Sequence, residues 1–260
     1  MNNFKILFFA FTVLFLASCG DEEPRDTNIP RTFADVEADF QDIDMSPGVQ
    51  DVELQMFNGV VYSFRVIIPE KAINENRPLI LTLHGASTSP DAHKNTACYA
   101  EPGLDTLEAI ILSPNSPGGL WFDDYSQEMV GNLMFLATKY WPVETDKIAV
   151  TGYSNGGNGS WLFGKFQSST LSAAIPMASS YDVHELDGSV GVWNLPLYVI
   201  HGENDELFPL SITQGWVEET VAAGSDITFV VADGLGHYTP CEYTPYLKEA
   251  AIWLQETVWK

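Results

Sequence analysis

Apolar side chains of strongly β-forming types dominate two runs, residues 49–56 and 60–68, and Asn58-Gly59 separates them. Asn-Gly readily adopts the positive φ angles of a tight hairpin turn. An antiparallel edge is therefore expected first. The pattern then changes to short apolar runs at residues 79–83, 110–113, 148–151, 173–177, 197–200 and 227–231. Runs without alternation suit strands buried on both faces of a parallel sheet. Helical periodicity lies between them: Met129, Val130, Leu133, Met134, Ala137 and Tyr140 share one helical face, and Tyr246, Leu247, Ala250, Ala251, Leu254 and Val258 share another. Strands alternating with helices predict an α/β domain, its mostly parallel sheet covered by helices on both faces.

The N-terminal pattern is of another kind. Lys5 precedes an apolar run over residues 6–17, short for a bilayer span and suited to the core of a secretory signal. The run closes with Leu16-Ala17-Ser18-Cys19, which resembles the bacterial lipobox. The resemblance implies a signal peptide over 1–18, cleavage before Cys19, and a diacylglycerol carrying acyl chains such as palmitate on its sulfur. Each buried methylene adds about 0.8 kcal/mol, so two or three chains hold a protein at a membrane. Gly20 after the cysteine implies the outer membrane by the lipoprotein sorting pattern. Asp21, Glu22 and Glu23 resemble a surface-export tag, with simple solvation as the alternative. Residues 19–35, with Pro24 and Pro30, read as the lipidated residue and an extended tether, and 36–260 as one catalytic domain.

Composition narrows the partners. The 260 residues are 45% hydrophobic, ample for one buried core, and hold 12 Lys and Arg against 35 Asp and Glu, a formal net charge of -23. Phosphate binding needs basic clusters, so nucleic acid is disfavoured as a partner. The acidic surface speaks to solubility, and a monomer is expected.

The candidate chemistry begins in Gly152-Tyr153-Ser154-Asn155-Gly156-Gly157, which follows the run at 148–151 and precedes a helix start. A strand, G-x-S-x-G and then a helix is the context of a nucleophile elbow, where the strained serine turn leaves no room for neighbouring side chains. The rival reading is a phosphate cradle at a helix N-terminus, and no lysine follows to complete a P-loop. A serine hydroxyl needs a base, and the base needs an acid to hold its tautomer. In sheets that carry this elbow the chain order is Ser, acid, His. Downstream, Asp205 follows the run at 197–200 and His237 follows the run at 227–231, so both lie at the carboxyl edge where open α/β sheets bind ligands. Asp233 and Glu203 are rival acids: the first is too close to His237 in sequence, the second too close to its strand. His84, His93, His184 and His201 all precede Asp205, which leaves His237 as the base. The oxyanion would take the backbone N–H of Asn155 and that of Ala86 in Leu83-His84-Gly85-Ala86-Ser87, with Ser87 the neighbouring alternative. No H-E-x-x-H, C-x-x-C or close histidine pair is present, so neither a metal nor another cofactor is expected.

Together with Leu83-His84-Gly85, Trp121-Phe122-Asp123, His201-Gly202 with Asp205 and Pro209, and Gly236-His237, these pieces resemble the α/β-hydrolase superfamily over about residues 77–260. The chain is most similar to compact carboxylesterases and acyl-thioesterases, through Trp-Phe-Asp, and to polyhydroxybutyrate-depolymerase or feruloyl-esterase-like members, through Ser-Asn-Gly-Gly. The resemblance implies a serine hydrolase acting on carboxylic esters through an acyl-enzyme. Peptide or thioester cleavage by the same triad is the second reading, and a surface lipoprotein that only binds ligand is the third. Residues 178–196 are short and polar where many relatives insert a helical cap, so no large cap and an open cleft are expected. That favours extracellular esters such as acylated or feruloylated polysaccharide fragments. Trp121 and Phe122 are candidates for the pocket as much as for the core. Once Cys19 is lipidated, Cys98 and Cys241 remain, an even pair in a compartment where disulfides persist. The alternatives are a bond that clamps the His237 loop or two separate buried thiols.

Overall fold

A computed structural model describes residues 30–118 and 120–260, with Arg31–Lys260 forming one compact unit. The signal peptide over 1–18 and Cys19 lie outside the described residues. The first element of the described residues is a helix that periodicity did not reveal, α1 (Phe33–Gln41), whose first turn overlaps the stretch read as tether to residue 35. Its start is specified by a capping box: Thr32 Oγ1 accepts from Asp35 N–H at 3.4 Å, and the Asp35 carboxylate accepts from Thr32 N–H at 2.7 Å. Val36 and Phe40, four residues apart, are fully buried, and Arg31 donates to the Gln55 carbonyl at 3.0 Å. Among the described residues, regular structure therefore begins at Phe33, before position 36.

Strands β1 (Gly48–Gln55) and β2 (Val61–Ile68) form the hairpin, and Gly59 takes φ +85° in its turn. The others are β3 (Arg77–Leu83), β4 (Ile110–Pro114), β5 (Val143–Tyr153), β6 (Ala173–Met177), β7 (Leu197–Gly202) and β8 (Ile227–Ala232). They make an eight-stranded sheet in the order β1-β2-β4-β3-β5-β6-β7-β8. The pairs β1 with β2 and β2 with β4 are antiparallel, and β3 through β8 are parallel. Every residue of β6 and β7 is buried, which explains their unbroken apolar runs, whereas the exposed edge strand β8 is mostly half-buried.

Helices cover both faces. Core residues of α1, α3 (Asp124–Tyr140), α4 (Asn155–Phe166) and α5 (Leu210–Ala222) pack on one, and those of α2 (Ala97–Gly103) and α6 (Thr244–Trp253) on the other. Residues 178–196 carry only an isolated bridge between His184 and Val190, and no cap is inserted there. Trp193 anchors this stretch, its ring edge-on to Trp161 and its Nε1–H donating to the Trp161 carbonyl at 2.9 Å. Because β3 to β8 run in parallel, the loops after Leu83, Tyr153, Gly202 and Ala232 all emerge at one edge.

Candidate active site

Ser154 is the one residue between β5 and α4, with φ 58° and ψ -119°. A non-glycine residue at positive φ is strained, and the surroundings must enforce it. Two glycines permit the turn: a Cβ on Gly152 would fall on the Gly156 carbonyl, and one on Gly156 would fall on the Leu83 carbonyl. Ser154 N–H donates to the Met177 carbonyl at 3.0 Å, tying the turn to β6.

His237 Nε2 lies 2.9 Å from Ser154 Oγ, and its Nδ1 lies 3.0 Å from Asp205 Oδ2. The three residues, far apart in sequence, thus form one hydrogen-bonded chain. Asp205 is held by its own loop, since its Oδ1 accepts from Leu207 N–H at 3.0 Å and Phe208 N–H at 2.8 Å. Its side chain is fully buried. Burial pushes the carboxyl up, but the bonds from His237 and Phe208 and the nearby imidazoles outweigh it and hold the group below its usual range. Asp205 is therefore an ionised acceptor that fixes a proton on Nδ1 and leaves Nε2 facing the hydroxyl.

The rival acids are elsewhere. Glu203 Oε2 accepts from Gly234 N–H at 2.8 Å, and among the described residues neither Glu203 nor Asp233 bonds to His237. The other histidines are also accounted for. His84 is buried, with Nδ1 against the Gly85 carbonyl at 2.7 Å and Nε2 accepting from Ser116 N–H at 3.0 Å. Burial lowers it to about 4 in spite of the Gly85 bond, so it is neutral. His201 donates to the Phe208 carbonyl at 2.8 Å beneath the acid loop, His93 is buried beside Asp51, and His184 lies on the surface with Asp182.

The turn that carries Ala86 passes beside the serine: a Cβ on Gly85 would stand 3.5 Å from Ser154 Cβ. Among the described residues the backbone N–H groups of Ala86 and Asn155 donate to no protein acceptor. Ser87, the alternative, lines the cavity, and its Oγ accepts from Ser89 N–H at 3.2 Å.

Beside Ser154 and His237 opens a cavity of about 730 Å³. Its walls come from the His84–Ser87 turn, the α2 region with Asn95 and Tyr99, and Leu207 and Tyr238 at the rim. Trp121 and Phe122 do not line it. Trp121 is fully buried, with Nε1–H donating to the His84 carbonyl at 2.8 Å, while Phe122 is 46% exposed on the surface. The pocket reading of this pair is corrected: Trp121 packs in the core, Phe122 one residue further along meets solvent, and neither is part of the cavity wall beside Ser154. The cavity wall does include Cys98, bonded to Cys241 beyond the histidine.

The model of the dienelactone hydrolase family matches residues 121–259, more than half the chain and the whole stretch holding Ser154, Asp205 and His237. The chain belongs to the dienelactone hydrolase family. It is accordingly a hydrolase of the α/β-hydrolase fold. Solved structures share the fold of this family member. A thermostable esterase has 20% identity and a TM-score of 0.65, over 80% of this chain and 62% of that one. The chain thus spans under two thirds of that esterase. A truncated carbohydrate esterase from gut microbiota has 16% identity and a TM-score of 0.63, over 84% and 99% of the two chains. A ferulic acid esterase has 18% identity and a TM-score of 0.60, over 80% and 98%. No curated protein matches the sequence.

Sequence reasoning missed the residues by which this dienelactone hydrolase family member holds its histidine loop. Tyr153, inside the G-x-S-x-G stretch, donates its hydroxyl to the His237 carbonyl, and Glu206 accepts from the His237 N–H at 2.6 Å. A tyrosine beside the nucleophile and a second acid beside Asp205 were the signals available.

Proposed function

We propose that the protein is a serine hydrolase of carboxylic esters, with Ser154 as nucleophile, His237 as general base and acid, and Asp205 as the group that orients His237. The observation carrying this reading is the chain from Ser154 Oγ through His237 to the buried Asp205, beside an open cavity. Ser154 Oγ attacks the ester carbonyl as His237 Nε2 takes its proton. The carbonyl oxygen, now negative, receives the N–H groups of Ala86 and Asn155, which are unoccupied and so cost no reorganisation. Asp205 stabilises the imidazolium. The tetrahedral intermediate collapses, the C–O bond to the alcohol breaks, and His237 returns the proton to the departing oxygen. Water then loses a proton to His237 and attacks the acyl-enzyme; the bond to Ser154 breaks, and Ser154 recovers its proton as the acid leaves.

For the substrate we propose acylated or feruloylated saccharides outside the cell. The cavity supports this reading by combining an apolar wall with a polar corner at Ser87, Lys94 and Asn95, and by lacking a cap over its mouth. The structural likeness to proteins described as a ferulic acid esterase and a carbohydrate esterase is consistent with it. The location we propose is the bacterial outer membrane, through a lipid on Cys19, with the catalytic domain facing outward. It rests on the Leu16–Cys19 stretch, and labelled palmitate entering wild type but not Cys19→Ser tests it.

The substrate test is a panel on purified protein lacking residues 1–19: p-nitrophenyl esters of short and long acyl chains, methyl ferulate, acetylated xylan, a thioester and a peptide. Turnover of the oxygen esters with the highest kcat/KM supports the proposal. A higher kcat/KM on the thioester or peptide would replace it.

A further inference from the structure

We infer that Glu206 is a positioning residue for His237, holding the backbone from which the imidazole is aimed at Ser154. The inference rests on the catalytic reading of that pair. A side chain leaves its Cα in a direction set by φ and ψ, the two soft dihedrals of a residue. Fixing the peptide units on either side of His237 therefore fixes the Cα–Cβ bond, about which the Asp205 bond sets the ring. The unit before it is gripped at both ends: Tyr243 Oη donates to the Gly236 carbonyl at 3.2 Å, and Glu206 Oε2 accepts from the His237 N–H at 2.6 Å. The unit after it is gripped at its carbonyl by the Tyr153 hydroxyl. Burial pushes both phenols up, so they stay protonated donors.

Glu206 is the exposed arm of this grip and the one that bears charge. Its bond to the His237 N–H lowers its carboxyl, so it accepts as a carboxylate, the stronger form of such a bond. Gly236 makes room for it, since a Cβ there would come within 3.0 Å of Oε2. Two further bonds run from the acid loop to the histidine loop, Glu203 to Gly234 N–H at 2.8 Å and Asn204 N–H to the Leu235 carbonyl at 2.9 Å. Glu206 completes the series at the residue that must not drift. Acid and base are thus held relative to each other by backbone contacts as well as by the Asp205–His237 bond.

The test compares Glu206→Ala and Glu206→Gln with wild type on a short p-nitrophenyl ester. Rates are normalised to the sites a fluorophosphonate titrates, so that unfolded molecules do not count. Misaiming a base by a fraction of an ångström costs rate rather than binding, so the alanine variant should lose about tenfold or more in kcat with KM within about twofold. The glutamine amide oxygen still accepts and should recover most of that loss. Gly236→Ala, which crowds the carboxylate, should lower kcat as well, and adding it to Glu206→Ala should cost little more. Undiminished kcat in Glu206→Ala, a glutamine variant as slow as the alanine one, or full additivity with Gly236→Ala would overturn the inference. A wild-type protein inert to esters and to the probe would overturn the catalytic reading with it.

Discussion

Cys98 and Cys241 are bonded to each other across 143 positions of sequence, their Cα atoms 5.2 Å apart. The bond joins α2, which lines the cavity, to the segment four residues past His237. It ties a wall of the cavity to the loop that carries His237. Closing so long a loop restricts the unfolded chain and should stabilise by about 2–5 kcal/mol. Mild reduction should therefore lower activity and the melting temperature while the sheet stays folded, as read by ester turnover and circular dichroism on one sample. Full activity and an unchanged melting temperature after verified reduction would contradict this.

Asp205→Asn should leave the fold intact and reduce kcat on the order of 10⁴-fold, because an amide facing Nδ1 favours the wrong tautomer of His237. Glu203→Gln should cost far less, since its amide oxygen can still accept from Gly234 N–H. Kinetics of the two purified variants decide between them. The reverse ranking would move the acid to Glu203.

Trp121→Ala should destabilise by about 3–5 kcal/mol, as expected for emptying a fully buried tryptophan site. The ranking of acyl chains should stay unchanged, because the ring is not part of the cavity wall. Thermal melts and a chain-length series measure both. A changed ranking with an unchanged melting temperature would return Trp121 to the pocket.

His84 predicts a loss of stability in mild acid. Burial lowers its pKa from 6.5 to about 4 in the fold. As pH falls through that window the unfolded chain takes up a proton that the native chain refuses, so stability present above about pH 6.5 drains away towards about pH 4. This residue alone should cost about 2 kcal/mol between about pH 7 and about pH 5. His93 and His201, also lowered by burial, add to it in the same direction. Urea unfolding at the two pH values is the measurement, and equal free energies at both would contradict the prediction.

The parallel strands were legible because burial on both faces leaves an unbroken apolar run, as in Ala173–Met177. The hairpin was legible because Asn58-Gly59 joins two β-rich runs, and Gly59 takes the positive φ such a turn needs. Ser154 stood out because a strained turn demands glycine on either side, and Asp205 and His237 because strand ends place them on one edge. Helix α1 escaped notice because only Val36 and Phe40 of its nine residues are fully buried, too few to print a helical period. Trp121 and Phe122 were ambiguous because adjacency in a loop does not say which way a side chain points. Glu206 and Tyr153 act on backbone atoms more than 30 and 80 positions away. Such contacts leave no periodic trace in the chain.

The central claim is that Ser154 is the nucleophile, and the most direct measurement sets wild type beside Ser154→Ala, with fluorophosphonate labelling and ester hydrolysis read on the same preparations. Removing one hydroxyl from a turn held by Gly152, Gly156 and the Met177 carbonyl should leave the melting temperature close to that of wild type. The account predicts about one probe per wild-type chain, attached at Ser154, together with ester turnover, and neither in the alanine variant. Turnover near the wild-type rate in Ser154→Ala, or a probe attached to another residue, would contradict it.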